Sequence, residues 1–359
     1  MQKCDILLLG TGGFAQRIAC DLAATATAPL ELTCAGRNAL RLAWIRTAAA
    51  ARADMFACPV RITTHALDIA GDGLAELLAR LRPAVILQAA SLQAAAVIAG
   101  EGNAWTRLVR DGALSATAVF QAVLTSRVAR AVGAASPQSR LDNCCFPDVV
   151  NGIIAAMGLP VACGIGNIAI LAHAFSGALE GASKPKLQML CHYQNIAAWR
   201  RPVAQRRPPA ARVWLGGREV VDVYSRFAAV QLTPEPVIDI SGASGVTLAL
   251  AMAQQRDWTG HTPGPHGLPG GYPVALRGGR LELELPDAID ASAAIAWNAG
   301  FEEANGLVVD AGGRAHYTGR LHDMLRQESR DLAAPFHVAD LDEVCRAMVA
   351  LRSALLQRP

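Results

Sequence analysis

The chain has 359 residues, of which 52% are hydrophobic, 18% charged and 5% aromatic. At about 150 residues per domain this length predicts two domains, and so much apolar surface with so little charge excludes a disordered chain. A formal net charge of +3, from 33 basic and 30 acidic residues, excludes a nucleic-acid footprint, so the partner has to be found in local chemistry.

Ile6 to Leu9 is an unbroken apolar run, suited to a parallel strand buried on both faces. It enters Gly10-Thr11-Gly12-Gly13-Phe14-Ala15, which fits the G-x-G-x-x-G/A spacing with Gly10, Gly12 and Ala15 in the three key places. Gly10 permits the tight turn, Gly12 lets backbone approach a pyrophosphate, and Ala15 lets the next helix pack closely on the strand. That helix, Ala15 to Ala26, points its N-terminus at the phosphates. A second strand, Leu30 to Ala35, ends in Gly36-Arg37-Asn38. An acidic residue there would hold ribose hydroxyls, whereas Arg37 suits a 2′-phosphate by charge and bidentate geometry. The sequence therefore predicts NADP (NADPH) rather than NAD; the alternative is an exposed arginine with no ligand.

Val60 to Thr63 reads as a third strand with Asp68 beyond it, Leu74 to Leu81 as an amphipathic helix, and Pro83 to Ala90 as a fourth strand. The loop after that strand lies at the switch point of a doubly wound sheet, which makes Ala90, Ser91 and Gln93 cofactor contacts by position. Trp105 to Asp111, Ala122 to Val132 and Arg140 to Phe146 continue the alternation. Asp148 to Met157 is a helix whose proline-preceded, acidic start complements its dipole. Asp148 and Asn151 serve either that helix start or the nicotinamide crevice. Pro160 to Cys163 then runs into Gly164-Ile165-Gly166-Asn167, a crossover or substrate loop.

From about residue 180 turns multiply and period-two alternation sets in. Leu187 to Tyr193, Arg212 to Leu215, Glu219 to Val223 and Phe227 to Leu232 read as strands, with hairpin turns at Leu215 to Arg218, Arg277 to Arg280 and Asp310 to Arg314. Helices are expected at Gly245 to Gln255, Ala291 to Glu303 and Asp340 to Gln357. The whole is an α/β chain: a Rossmann domain with a doubly wound parallel sheet over residues 1–148, and an α+β substrate and oligomerisation domain on a mixed or antiparallel sheet over 149–338. Residues 339–359 form a helix packing back on the first domain.

Chemistry in the second domain must come from few polar groups. His192, at a strand end, could exchange protons near neutral pH, or simply be hydrogen-bonded there. The Pro- and Gly-rich segment His261 to Pro273 reads as a rigid binding loop carrying His261, His266 and Tyr272. Arg200 and Arg201 could grip a carboxylate, with Lys184 and Lys186 as weaker candidates for the same task, while Arg206 and Arg207 read as solvated surface. No Cys or His spacing suits a metal, so none is expected, and the 9 cysteines read as reduced thiols.

Mean hydropathy is +0.26. The apolar stretches Pro83 to Gly100 and Val149 to Phe175 are nonetheless too interrupted to span a membrane. Asp5 and the early glycine turn interrupt what Lys3 and Ile6 to Leu9 would offer as a signal peptide, and a cytoplasmic homodimer is the expectation.

Gly10 to Ala15, Cys34-Ala35-Gly36-Arg37-Asn38, the strand ending Ala89-Ala90-Ser91 and the junction Asn143 to Asn151 together make the chain resemble the saccharopine dehydrogenase-like and opine dehydrogenase-like oxidoreductases. The resemblance covers the first 170 or so residues well and the remainder in outline. It implies NADPH-linked reduction of an imine, formed from an amine and a 2-oxo acid, or oxidation of a secondary amine of an amino-acid-derived metabolite. His192 and Asp148 would be catalytic, and Asn151, Arg200, His261 and Tyr272 would bind substrate. Dehydrogenation of an alcohol, aldehyde or semialdehyde, and NADP binding without turnover, are the alternatives.

Overall fold

The computed structural model describes residues 4–94, 97, 100–181, 183–233 and 235–359; Lys3 and four residues of the Pro83 to Gly100 stretch lie outside them. The first domain runs β1 (Ile6–Leu9), α1 (Gly13–Thr25), β2 (Leu30–Gly36), α2 (Ala39–Met55), β3 (Val60–Ala66), α3 (Gly73–Leu81) and β4 (Val85–Gln88). It continues through α4 (Ala104–Arg107), α5 (Ala118–Ala135), β5 (Arg140–Asn143), α6 (Pro147–Ala156) and β6 (Cys163–Gly164). Six parallel strands lie in the order β3-β2-β1-β4-β5-β6. β1 is buried at all four positions, as a strand covered on both faces requires.

One core lies under α3, α5 and α6, the other under α1 and α2. The order reverses between β1 and β4, which opens a crevice at the carboxyl ends of the strands.

The second domain begins with α7 (Ile168–Ala178), β7 (Leu187–Leu190), α8 (Tyr193–Ile196), β8 (Arg212–Leu215), β9 (Arg218–Glu219) and α9 (Val223–Arg226). Next come α10 (Ile238–Ser244), α11 (Val246–Ala253), β10 (Trp258–Pro263), β11 (Gly271–Arg277), β12 (Arg280–Leu283) and α12 (Ala291–Ala299). The chain finishes with β13 (Leu307–Val309), β14 (Arg314–Tyr317), α13 (Gly319–Glu328), α14 (Arg330–Ala333), β15 (Phe336–His337) and α15 (Leu341–Leu356). Its strands form three separate three-stranded sheets, β7-β8-β9, β10-β11-β12 and β13-β14-β15. The architecture is therefore α/β with a parallel doubly wound sheet and added antiparallel sheets.

Among the local expectations that change, the strand expected from Glu219 to Val223 is cut to Arg218–Glu219, because Asp222 caps α9 by accepting from the Ser225 amide. Phe227 to Leu232 is not a strand: Phe227 and Val230 close successive turns through Phe227 N to Val223 O and Val230 N to Phe227 O. The strand expected to reach Tyr193 stops at Leu190, because His192 caps α8 by accepting from the Gln194 amide. The Pro- and Gly-rich segment His261 to Pro273 is largely a strand pair, with His261 opposite Pro273 and Thr262 opposite Tyr272. Glycine is required at 271 within it, since a Cβ there would stand 2.5 Å from Ile168 and 3.0 Å from the Cys191 carbonyl. α2, absent from the sequence reading, is a full helix of 17 residues.

The terminal helix α15 packs on α4 and α5 of the first domain. Leu341, Cys345 and Met348 are buried there, Arg127 pairs with Asp342 at 2.7 Å, and the Arg352 guanidinium lies 4.5 Å from the Phe120 ring centre. No helix among the described residues is long and apolar enough to cross a membrane.

Candidate functional site

The loop from β1 to α1 is squeezed between its neighbours. Gly10, at φ +133°, donates its amide to the Ala35 carbonyl at 2.8 Å, and a Cβ there would sit 3.1 Å from the Ala89 carbonyl carbon. Gly36 approaches so closely that a Cβ would stand 2.7 Å from the Thr11 methyl. Around Gly12, by contrast, a Cβ would meet no atom within 4 Å. Gly12 is the N-cap of α1, no side chain caps that helix, and its first turn holds no acidic residue. The positive end of a 13-residue helix therefore faces open space with its amides available to an anion.

That space is a cavity of about 680 Å³ along the carboxyl ends of the sheet. Of the residues expected at a cofactor, Gly10, Thr11, Gly12, Gly13, Phe14, Gly36, Arg37, Asn38, Ala90 and Ser91 line it; Ala15 is buried inside α1 instead. Arg37 is exposed at the rim. Asn38 is held by capping α2, its Oδ1 accepting from the Arg41 amide at 3.0 Å, and the Arg41 guanidinium bonds the Thr11 carbonyl. Gln88 fixes the next loop through the Ala90 carbonyl at 2.8 Å, and the Ser91 hydroxyl bonds the Gln93 carbonyl at 2.7 Å. The far end is closed by Phe146, Asn167, Ile170, Tyr193, Arg200 and Ser241. Arg200 donates there to the Glu235 carbonyl at 3.2 Å.

The open glycine loop, the uncapped helix and the row of strand ends fit an extended dinucleotide, with Gly10 to Gly13 at the pyrophosphate and Arg37 and Asn38 at the adenosine end.

The remaining expected residues stand outside the cavity lining. Asp148, on α6, is 1% exposed; Asn167 donates to its Oδ2 at 2.6 Å, and its Oδ1 has no partner among the described residues. Burial pushes this carboxyl up to about 6, while the neighbouring His192 and the Asn167 bond pull it partly back. His192 is fully buried, stacked on Phe301. Its Nδ1 accepts from the Gln194 amide at 3.2 Å, which leaves the ring proton on Nε2, 3.3 Å from Glu302 Oε1.

Asn151 stitches the domains together, accepting from Asn143 and donating to the Gly264 carbonyl, each at 2.9 Å. His261 accepts from the Met189 amide at 3.2 Å, and burial pushes it down to about 3, so it stays neutral. Tyr272 donates to the Pro269 carbonyl at 2.7 Å, its hydroxyl pushed far up by burial. Sequence reasoning missed Tyr193, Ser241 and Glu302. Glu302 meets His192 across 110 positions of chain, beyond any local signal. Among the described residues no cluster of His, Cys, Asp and Glu could hold a metal.

No protein-family model and no curated protein matches this sequence. Solved structures do. The lactate dehydrogenase of Cryptosporidium parvum, described with lactic acid and nicotinamide adenine dinucleotide, is 14% identical with a TM-score of 0.53, covering 85% of this chain and 96% of its own. The malate dehydrogenase of Salinibacter ruber is 13% identical at 0.53, covering 85% and 96%. That of Picrophilus torridus is 11% identical at 0.56, covering 84% and 96%. These similarities overturn the resemblance to saccharopine and opine dehydrogenases, whose motifs here are those of the dinucleotide-binding half that many enzymes share. What the chain has in common with lactate and malate dehydrogenases is the fold: a parallel dinucleotide-type sheet followed by a second domain, over nearly their whole length.

Proposed function

We propose that this chain is an oxidoreductase that binds a nicotinamide dinucleotide along Gly10 to Gly13 and acts on a small hydroxy or oxo acid. The observation that carries the reading is the cavity at the uncapped N-terminus of α1, open at Gly12 where any side chain would project into it. When bound, the nicotinamide would supply hydride exchange with a carbon bonded to oxygen. The lactate and malate dehydrogenases that share the fold support such an acid over an imine.

The chain's own residues divide the remaining work. Arg200 offers the cation nearest the closed end and would orient a carboxylate. Phe146, Ile170 and Tyr193 wall that end and exclude water. Among the described residues Asn167 is the one cavity-wall side chain bonded to Asp148, so proton exchange with Asp148 and His192 would pass beside it. Arg37, just past the end of β2, offers a cation to a 2′-phosphate and supports NADP(H) over NAD(H), while Asp68, just past β3, lines the same cavity.

A second reading, dinucleotide binding without turnover, is favoured by one observation: Asp148 and His192 are both buried out of the cavity. Two measurements separate the possibilities. Fluorescence titration is expected to show NADPH binding more tightly than NADH, with Arg37→Glu erasing the difference; an unchanged preference removes Arg37 from the reading. Loss of nicotinamide absorbance with a 2-oxo acid alone supports the enzyme, loss only when an amine is added contradicts the proposed substrate, and tight binding with no oxidation by any acid or aldehyde supports the second reading.

A further inference from the structure

We infer that the Tyr193 hydroxyl is the proton donor at the closed end of the cavity, an inference that rests on the oxo-acid chemistry proposed above. The groups expected from the sequence for that task are sealed in. His192 is fully buried and Asp148 is 1% exposed, and neither lines the cavity. Proton exchange with that pair has to pass Asn167, whereas Tyr193 forms part of the wall itself.

The other titratable groups of the wall fit the task less well. Arg37 and Asp68 stand just past β2 and β3, at the adenosine end, and Arg200 keeps its proton at any working pH. Burial pushes the Cys144 and Cys145 thiols up with no cation to draw them back, and Cys145 already donates to the Ala90 carbonyl at 3.4 Å. The Tyr193 hydroxyl has no hydrogen-bond partner among the described residues, yet it is not sealed off. Burial raises this phenol, Arg200 pulls it partly back and Asp148 adds to the rise, so it holds its proton at neutral pH.

Local structure fixes the ring. Tyr193 opens α8, and its sequence neighbours hold that start: His192 Nδ1 accepts from the Gln194 amide at 3.2 Å, while the His192 amide donates to Asn195 Oδ1 at 2.8 Å. Phe146 meets the Tyr193 ring edge-on, with 5.3 Å between ring centres. His192 is thereby a brace for the donor. In the reduction the carbonyl carbon gains the hydride of the bound dinucleotide, the oxygen takes the π pair, and the Tyr193 O–H bond breaks to give that oxygen its proton. An alkoxide is a far stronger base than a phenolate, so the transfer runs downhill, and Arg200 stabilises the phenolate until water returns a proton to it.

Tyr193→Phe deletes only the hydroxyl and leaves no protein group without a partner. With NADPH and a panel of 2-oxo acids, the variant of the full chain is expected to lose kcat by about 100-fold or more, with KM, NADPH affinity by fluorescence titration and the urea midpoint unchanged. In wild-type protein carbon-13 labelled at tyrosine Cζ, the resonance missing from Tyr193→Phe is expected to move when oxamate, an unreactive analogue of a 2-oxo acid, is added with NADPH. A smaller loss of kcat, a loss matched by weaker NADPH binding or a lower urea midpoint, or a resonance that ignores oxamate overturns the role of Tyr193 alone. A wild type that reduces no 2-oxo acid overturns the proposed reaction and this role with it, so the two failures read differently.

Discussion

Asn167 lines the cavity while its amide donates to Asp148 Oδ2 at 2.6 Å, so a solvent-accessible wall residue governs a carboxyl that is itself 1% exposed. The bond stabilises the ionised form, opposing the burial that raises the carboxyl to about 6. Asn167→Ala removes the donor, and the Asp148 titration is expected to move to higher pH. Carbon-13 resonances of the labelled carboxyl measure this; a midpoint that stays or falls contradicts the coupling.

The pH dependence of stability follows from Asp142 as well. It lies fully buried in β5 with one oxygen at 3.3 Å from the Cys163 thiol and the other without a partner among the described residues, and burial pushes it from 3.8 up to about 7. A carboxyl whose folded value is raised favours the folded state when protonated. Its contribution is therefore fully present below about pH 4 and is lost as pH rises towards 7. Asp142→Asn is expected to recover stability at pH 8, by about 4 kcal/mol, and to change little at pH 4, as read from denaturant midpoints at the two values. Equal effects at both would refute the assignment.

Two glycines of the nucleotide loop should separate folding from binding. Gly12→Val meets no protein atom, so the melting temperature is expected to stay within a degree or two while dinucleotide affinity falls at least tenfold. Gly10→Ala places a side chain at φ +133° against the Ala89 carbonyl, and is expected to destabilise the fold by about 1–3 kcal/mol besides. Normal dinucleotide affinity in Gly12→Val would move the ligand out of this loop.

Met348 is fully buried in the core that holds Trp105 and Phe120. Met348→Ala is expected to cost about 2–5 kcal/mol in urea unfolding. A loss under about 1 kcal/mol would mean that α15 adds little to the first domain.

The parallel-sheet half was legible because its signals are local: β1, the glycine turn, α1 and β2 follow one another within 36 positions. α2 escaped for a physical reason. A helix with apolar side chains on two opposite faces, such as Leu42 inward and Leu40 outward, has little amphipathic contrast to read. α7, from Ile168 to Ala178, is apolar nearly all round and carries no period either. In the second domain the turn-rich segment around Gly271 disguised a strand whose glycine answers a close approach by Ile168 and Cys191. The neighbourhood of His192 depends on Glu302 and Asp148, brought together only by the completed fold.

The return of α15 makes the parallel-sheet half a discontinuous unit of the chain. Residues 1–164 expressed alone would leave Phe120 and Trp105 stripped along the flank where Met348 and Arg352 belong, inviting aggregation of that fragment. Transplanting this half onto another protein would require carrying the last turns of the polypeptide with it, or a circular permutation that joins α15 directly to β1.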